Sequence, residues 1–312
     1  MVASILPLPS VDLIAAALRK NSPVGALTER HLAAVLDQAV GHPGKLVRPR
    51  LVYAAACRHG MDGESALLLA CAIEYFHLAS LILDDLPCMD DAETRRGLPC
   101  VHRLHGESAT ILGALALINR GYGMVGFAMA AQPMAVRLAA MACLDACLGV
   151  AGLVGGQARD LVFGQSDGSV REISRIAAGK TASLFWLAVY FPALLAQPSA
   201  EEGRCLKALC LYWGLAFQAW DDLGDVGVGG TAATLGKQPG RDGSLNRPNI
   251  ALALGTAATA RRIARLMAQA ERVIERLERN RSEWGYLARF HREYFEAKMV
   301  KAMRLQSKLA TA

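Results

Sequence analysis

The chain has 312 residues, of which 53% are hydrophobic and 20% are charged, and its formal net charge is +6. This composition is globular and can bury a large core, so we expect a single domain over residues 1–312. The positive charge does not form one patch. Many arginines lie on the outer face of a helix predicted within residues 260–284, whose apolar residues keep helical spacing. The charge therefore does not indicate a nucleic-acid partner.

The sequence also bears on cellular compartment. Its eight cysteines form no CxxC pair and lie mostly in apolar stretches, which predicts reduced thiols in a cytoplasmic protein. The first twenty residues lack a basic region before an apolar core, so we expect no signal peptide. The most apolar stretch, LFWLAVYFPALLA, is interrupted by Pro192 and is shorter than the ~20 residues that a bilayer span needs. We therefore expect no membrane span.

Along the chain, apolar residues recur at helical periods or in runs too long for strands, with Gly or Pro between them. This pattern predicts an all-α protein of about ten helices. Loops are expected around 41–49, 86–100, 165–170, 197–203 and 226–248. The last loop is the longest, and long loops in compact domains usually carry function.

The stretch LILDDLPCMDDAETRRG, residues 81–97, follows the apolar run CAIEYFHLASLIL, which predicts a buried helix. Asp84 and Asp85 then lie at the C-terminal end of that helix, where negative charge is unfavourable. A cationic partner is expected to offset this cost. Pro87 and Cys88 lengthen the motif, so that Asp84 and Asp90 can curl around one ion.

A second acidic motif, FQAWDDLGDV at residues 217–226, also ends an apolar helical run. Helical spacing places Gln218, Asp221, Asp222 and Asp225 on one face and its edge. Either motif alone is more often an ordinary acidic helix end. Two such motifs together favour a hard cation, and oxygen-only clusters suit Mg²⁺.

Four basic elements accompany the acidic motifs. They are GKLVRPR with Lys45, Arg48 and Arg50, TRRG with Arg95 and Arg96, GKTASLF with Lys180 and Thr181, and TLGKQPGRDG with Lys237 and Arg241. Each element is a weak signal alone. Together they imply two diphosphates, one held through Mg²⁺ and one held directly by arginine and lysine.

At this point the motifs show a family resemblance. GKLVRPRL, the stretch from His77 to Leu112, GLVGGQARDL, GKTASLF, FQAWDDLGDV and LGKQPGRDG occur in the order and spacing of the trans-type isoprenyl diphosphate synthases, from about residue 40 to 250. The chain most resembles bacterial and carotenoid-pathway geranylgeranyl diphosphate synthases. The resemblance implies the isoprenoid synthase fold, an all-α bundle around a deep central cavity. It also implies a homodimer and three Mg²⁺ ions, with Mn²⁺ as a substitute.

The resemblance assigns roles residue by residue. Asp84 and Asp90 would ligate two ions and Asp221 the third, with Asp85 and Asp222 completing the catalytic carboxylates. Lys45, Arg48, His77 and Arg96 would bind isopentenyl diphosphate. Arg95, Lys180, Thr181, Gln218, Lys237 and Arg247 would hold the allylic diphosphate, and the two lysines would also stabilise the leaving oxygens.

The implied reaction is head-to-tail condensation of isopentenyl diphosphate with an allylic diphosphate (dimethylallyl, geranyl or farnesyl). We expect geranylgeranyl diphosphate as the main product. Ala79 and Ser80 are small, whereas farnesyl-making relatives tend to carry an aromatic there, so a fifteen-carbon tail should pass. Tyr75 or Phe76, one turn deeper, would form the floor of the cavity that stops chain growth. The alternative that both are ordinary core aromatics has equal weight.

Some positions depart from the family pattern. Arg247 and Asn249 stand where many relatives have Lys and Thr, Gly230 replaces an acidic loop residue, and Ala114 replaces an Asp. We expect catalysis to survive, with a looser loop over the allylic diphosphate.

Other functions compete with condensation. Farnesyl diphosphate synthesis is the first alternative, and a terpene cyclase of the same fold is the second, although a cyclase would not need Lys45, Arg48 and Arg96. A regulatory subunit would show a damaged acidic motif. Glu74 and His77 have the ExxH spacing of di-iron bundles, but the chain has no second ExxH.

Overall fold

The structure is a computed structural model that describes residues 8–42, 44–227 and 240–296. The described residues are overwhelmingly helical, and the strands among them are Thr94–Arg95 (β1) and Leu98–Pro99 (β2), which pair antiparallel. The predicted all-α class is therefore confirmed. The chain divides into two compact units, an N-terminal unit up to Leu138 and a C-terminal unit from Ala139. The single domain over residues 1–312 stays a prediction.

The N-terminal unit is built around one long buried helix. Its helices are α1 (Val11–Lys20), α2 (Arg30–Gly41), α3 (Val47–Arg58), α4 (Gly63–Asp84), α5 (Val101–His105) and α6 (Glu107–Ala128), and α7 (Met134–Leu148) contains the boundary between the units. Helix α4 packs against α1, α2, α3 and α6. Because it is covered on several sides, α4 has buried residues all around its circumference, as its apolar sequence predicts.

Both ends of α4 follow from local sequence. Asp62 caps its N-terminus, where the carboxylate accepts a hydrogen bond of 2.9 Å from the Ser65 amide. The helix then runs for 22 residues to Asp84, with Asp85 as the C-terminal cap. Its contact with α6 is close at Gly121, where a Cβ atom would lie 2.9 Å from the Phe76 ring. The acidic motif is thus fixed at the end of a rigid, buried element.

The C-terminal unit contains the second acidic motif. Its helices are α8 (Leu153–Leu161), α9 (Val170–Ala177), α10 (Ser183–Ala193), α11 (Ala200–Asp225), α12 (Arg241–Ser244), α13 (Ile250–Leu254), α14 (Thr256–Asn280) and α15 (Gly285–His291), with π-helical turns at Ala178–Ala182 and Arg292–Glu296 and 3₁₀ turns at Phe163–Gln165, Leu194–Ala196 and Ser282–Trp284. Helix α11 begins with a capping box formed by Ser199 and Glu202. It packs against α10 and α14 and ends at the acidic residues.

Four helical segments are long and apolar enough to cross a membrane, judged by length and composition only. They are Gly63–Asp84, Glu107–Ala128, Met134–Leu161 and Val170–Ala196. The last one corrects the sequence estimate, because helix already begins at Val170, before LFWLAVYFPALLA, and Pro192 lies in the final turn of α10. These helices are weak evidence against the expectation of no membrane span. About two thirds of the α4 window is nevertheless buried by the protein itself, at 67%.

Candidate active site

The acidic turn after α4 folds back on itself. The Asp90 amide donates to the Asp84 carbonyl at 3.0 Å, and the Ala92 amide donates to the Asp85 carbonyl at 3.1 Å. These bonds bring the backbones of Asp84 and Asp90 together, as the Pro-Cys insertion led us to expect. Their role as metal ligands stays a prediction.

Arg95 supplies the cation that the end of α4 requires. Its guanidinium donates two hydrogen bonds to the Asp85 carboxylate, at 2.6 and 2.7 Å. Burial by itself would lower the pKa of Arg95, but the bond to Asp85 together with the negative charges of Asp85 and Asp84 outweighs burial and raises the pKa. Asp85 is only 2% exposed and Arg95 is partly buried, so this is a partly buried bidentate pair. Arg95 therefore positions the acidic turn, and its role at the allylic diphosphate stays a prediction.

A basic cluster lies on the same unit, one to two turns before the end of α4. Arg48, in the first turn of α3, approaches His77 with 3.2 Å between Nη1 and Nε2. Burial, with the charges of Arg48, Arg96 and Arg95, holds the pKa of His77 well below its usual value. Because a guanidinium can only donate, Nε2 is the acceptor and the neutral ring carries its proton on Nδ1. That buried Nδ1 has no hydrogen-bond partner among the described residues.

The loop before α3 is shaped around Arg96. Nη1 of Arg96 donates to the His42 carbonyl at 2.6 Å. Gly44 lies against the guanidinium so closely that a Cβ atom there would be 2.5 Å from Cζ of Arg96. Gly44 also has a φ of +73°, a conformation that favours glycine. Lys45, the next residue, is exposed beside this contact.

Glu74 is an acidic residue of α4 on which the charges of the basic cluster act. It lies one turn before His77 and is 2% exposed. Burial raises the pKa of Glu74 to about 8, although the charges of Arg48 and Arg96 oppose the rise. Two arginines that act on one carboxyl do not favour a metal ion, so the structure argues against the ExxH metal site. The sequence could have indicated that Glu74 is unusual, because it is an acidic residue within a long apolar run.

In the C-terminal unit, two glycines allow α8 to approach the π-helical turn that contains Lys180. A Cβ atom on Gly156 would lie 2.4 Å from the Lys180 amide nitrogen, and one on Gly179 would lie 2.9 Å from the Gly156 Cα. This contact places Nζ of Lys180 3.2 Å from the Asp160 carboxylate. π-Helical turns are frequent at functional sites. Asp160 is a site residue to which the sequence motifs gave no role.

Thr181 and Gln218 contact each other in the C-terminal unit, and their roles at the allylic diphosphate stay predictions. The Thr181 hydroxyl donates to the Gln218 side-chain oxygen at 2.9 Å, and Nε2 of Gln218 donates to Asp222 at 2.9 Å. The other carboxylate oxygen of Asp222 accepts from the Ile250 amide at 2.7 Å. Burial raises the pKa of Asp222 to about 7, although these two bonds oppose the rise. Both oxygens of Asp222 thus bond within the protein, whereas Asp221 is partly exposed.

Two of the departures from the family pattern, Arg247 and Asn249, make specific contacts. The Asn249 side chain caps α13, accepting from the amides of Ala251 and Leu252, and donates to Asp242 at 2.9 Å. Nη1 of Arg247 donates to the Asp160 carbonyl at 3.2 Å, which places Arg247 near Lys180. Lys237 and Gly230, with residues 228–239 of the predicted long loop, lie outside the described residues.

Each acidic motif provides few ligands by itself. Within the described ranges, no group of three or more His, Cys, Asp or Glu side chains is arranged to hold a metal ion. Mg²⁺ is usually bound by one or two carboxylates, with water and substrate phosphates completing the shell. The hard oxygen donors at Asp84, Asp90 and Asp221 fit that ion.

The helical fold, the acidic residues at two helix ends and the basic motifs together define the class of protein. The sequence model described as polyprenyl synthetase matches residues 29–282, and the chain belongs to this family. A geranylgeranyl diphosphate synthase of Pantoea ananas is 39% identical over 198 residues, which are 62% of this chain and 65% of that protein. A farnesyl diphosphate synthase of Bacillus subtilis is 32% identical over 200 residues, which are 64% of this chain and 67% of that protein. The alignment thus spans just under two thirds of the Pantoea protein.

Among solved structures, an FPP/GFPP synthase from Zymomonas mobilis is similar, with a TM-score of 0.74 and 29% identity over 91% of this chain and 95% of that chain. The predicted family and the isoprenoid synthase fold are confirmed.

Proposed function

We propose that this chain condenses isopentenyl diphosphate with allylic diphosphates, with geranylgeranyl diphosphate as the main product. The observation that carries the proposal is the arrangement of the N-terminal unit. A basic cluster of the partly buried Arg48 and His77 and the exposed Arg96 lies one to two turns before the acidic turn at the end of α4. A cyclase needs only one diphosphate site, whereas condensation needs a second that binds without carboxylates. The relatives named above, both diphosphate synthases, support the same reaction class.

In this proposal the basic cluster binds isopentenyl diphosphate. Arg48 and Arg96 supply charge-assisted hydrogen bonds, and Lys45 adds an exposed ammonium from the Gly44 loop. The unpartnered Nδ1 proton of His77 is a buried donor that needs an acceptor, and a diphosphate oxygen would provide one. A neutral His77 at this position adds a hydrogen bond without repelling the arginines.

The allylic diphosphate is assigned to the C-terminal unit. Lys180 bonds to Asp160, while its neighbour Thr181 bonds to Gln218 and Gln218 bonds to Asp222, so the two carboxylates orient these side chains. Lys180 and Arg247 would stabilise charge on the leaving oxygens, and apolar surroundings would keep water from the allylic cation. The departing diphosphate is the expected acceptor of the final proton, because no described side chain is an evident base for that step.

Mg²⁺ is the proposed metal, with Asp84, Asp90 and Asp221 as its proposed ligands. When bound, it would withdraw negative charge from the diphosphate leaving group. Three ions, and Mn²⁺ as a substitute, follow from the family resemblance. Asp85 and Asp222 take positioning roles, because Asp85 pairs with Arg95 and Asp222 bonds with Gln218 and the Ile250 amide.

Product length is the finer part of the proposal. Tyr75 is fully buried, and its hydroxyl donates to the Leu18 carbonyl on α1 at 2.6 Å. Phe76 instead packs edge-on against Tyr122 of α6, with 5.0 Å between ring centroids. Tyr75 is therefore held by α1, and Phe76 is the residue we assign to the floor. Ala79 and Ser80, one turn nearer the acidic turn, leave room for the growing chain. Farnesyl diphosphate is the runner-up product.

We also propose a cytoplasmic homodimer without a membrane span. Helix α6 has a row of exposed apolar residues, with Leu112 at 55%, Leu115 at 56% and Phe127 at 69% exposure. Such a surface marks an interface, and a second copy of the chain covers it in this proposal. Light scattering after size exclusion in detergent-free buffer tests both statements. A dimer that Leu115→Glu converts to monomer supports them, and protein that pellets with membranes contradicts them.

The decisive test of the reaction uses purified protein with isopentenyl diphosphate, Mg²⁺ and each allylic primer in turn. We expect twenty-carbon product from dimethylallyl, geranyl and farnesyl diphosphates. Absence of condensation with every primer would overturn the proposed function. If the products stopped at fifteen carbons, the proposed reaction would stand and the assignment of Phe76 as the floor would be wrong.

A further inference from the structure

The hairpin between the acidic turn and α5 carries both Arg95 and Arg96. Its strands β1 and β2 have two residues each, and Arg96 and Gly97 form the turn between them, with φ values of +55° and +79°. Positive φ at both central positions is typical of a type I′ turn, and it is unfavourable for a residue such as arginine. Because a two-stranded hairpin alone is marginally stable in water, contacts with other elements must hold this one in place.

One of these contacts comes from Gln38, in the last turn of α2. Nε2 of Gln38 donates to the Pro99 carbonyl on β2 at 3.0 Å, and Oε1 lies 2.9 Å from Nε2 of His105 on α5. Because a carbonyl oxygen can only accept, the amide nitrogen faces Pro99, and the His105 nitrogen that faces Oε1 carries a proton. Both ends of the Gln38 amide therefore bond to the segment that carries the hairpin.

The same end of α2 also contacts Arg96 directly. The His42 carbonyl, one turn after Gln38, accepts from Nη1 of Arg96 at 2.6 Å, and Nδ1 of His42 lies 3.3 Å from the Gln38 carbonyl. Arg95 is held separately, by its two hydrogen bonds to Asp85. Arg95 is thus anchored to the end of α4, whereas Arg96 is anchored to the end of α2, where Gln38 fixes the hairpin.

We propose that Gln38 is a positioning residue for isopentenyl diphosphate, because it holds the hairpin against α2 and so keeps Arg96 at the diphosphate site. This inference rests on the proposed function, which gives Arg96 to that substrate. Gln38 contacts neither substrate in this proposal and acts through the Pro99 backbone. His105 supports it by fixing the orientation of the Gln38 amide.

The variant Gln38→Ala removes both hydrogen bonds and keeps the helix, because alanine is the best helix former. Without the bonds, a smaller fraction of molecules has the hairpin in the binding position, and the apparent affinity falls with that fraction. We expect the Michaelis constant for isopentenyl diphosphate to rise about 3- to 10-fold, the effect of a neutral hydrogen bond. The turnover number and the constant for the allylic primer should stay within about twofold of the wild type, because saturating ligand restores the position and Arg95 keeps its own anchor.

Two further variants and a control separate polar contact from packing. Gln38→Met keeps the length of the side chain without its amide, so it should match Gln38→Ala and also replaces it if Gln38→Ala fails to fold. His105→Leu leaves the bond to Pro99 and should cause a smaller rise. Asp37→Ala, the exposed neighbour on α2, is the matched control and should behave as the wild type. Steady-state kinetics with each substrate varied in turn measures these constants.

Amide hydrogen exchange follows the hairpin without turnover. The Cys100 amide donates to the Glu93 carbonyl at 2.9 Å and closes the hairpin. Exchange of this amide should be about 3- to 10-fold faster in Gln38→Ala and Gln38→Met than in Asp37→Ala.

A Michaelis constant for isopentenyl diphosphate that is the same in the Gln38 variants and in Asp37→Ala would overturn the inference and leave the proposed reaction intact. An equal rise for both substrates, or unchanged exchange at Cys100, would overturn it as well. Absence of condensation by the wild type would instead overturn the proposed function, and the inference with it.

Discussion

Replacing Gly44 by alanine should displace Arg96, which we assign to isopentenyl diphosphate, while every substrate-binding side chain keeps its chemical identity. The new Cβ atom would lie 2.5 Å from Cζ and 2.7 Å from Nη2 of Arg96, whereas ordinary contacts begin near 3.4 Å. The guanidinium must therefore move by about 1 Å. It moves rather than the loop backbone, because it is the far end of a flexible side chain. That movement breaks the bond of 2.6 Å to the His42 carbonyl.

The magnitude follows from the contact that Arg96 makes with a diphosphate in the proposed site. A charge-assisted hydrogen bond contributes about 1.5 to 3 kcal/mol, and each 1.36 kcal/mol is tenfold. The Michaelis constant for isopentenyl diphosphate should therefore rise about 10- to 150-fold. The constant for the allylic primer and the turnover number at saturation should change little. Steady-state kinetics with each substrate varied in turn measures the split.

Backbone strain is a separate effect that needs its own control. Gly44 has a φ of +73°, and an alanine in that region costs about 1 to 2 kcal/mol of stability. Gly60 has a φ of +88°, and a Cβ atom there would meet nothing within 4 Å, so Gly60→Ala carries the strain alone. Both variants should lose a few degrees of thermal stability, and only Gly44→Ala should weaken isopentenyl diphosphate binding. Equal Michaelis constants in the two variants would refute the reasoning about Arg96.

Three further predictions concern the metal, the floor and the buried carboxyl. Asp84→Asn or Asp221→Asn should lower the turnover number by orders of magnitude while the melting temperature stays near that of the wild type; full turnover in EDTA would contradict the metal assignment. Ala79→Tyr should shift the product to fifteen carbons and Phe76→Ala should lengthen it, as read by chromatography of the extracted products; unchanged lengths in both would exclude the floor. The stabilising effect of Glu74→Gln should grow as pH rises from about 4.5 to about 8 and stay level above that. The folded pKa of Glu74 is about 8 and its usual value is 4.5, so in this window the unfolded wild type ionises first and the folded wild type loses relative stability. Chemical denaturation across this range measures the difference, and a constant difference would contradict it.

The sequence alone was sufficient for the helical class and the family. Helical periodicity over long apolar runs predicts α4 and α11, because a helix covered on several sides must be apolar around most of its circumference. The acidic and basic motifs are local in sequence, so their residue types and spacing already indicate diphosphate chemistry. Even the need for a cation at the end of α4 follows from elementary electrostatics.

Only the tertiary structure decided which partners these residues have. Sequence assigned Arg95 to a substrate, whereas the fold pairs it with Asp85, ten positions away in the chain. It gave Asp160 and Glu74 no role in the reaction, yet Asp160 pairs with Lys180, and the charges of Arg48 and Arg96 act on the buried Glu74. Such partners are distant in sequence. Burial favours their pairing, because a charge removed from water is stabilised by an opposite charge that the packing places next to it. That selection depends on the fold as a whole, and no local pattern of residues encodes it.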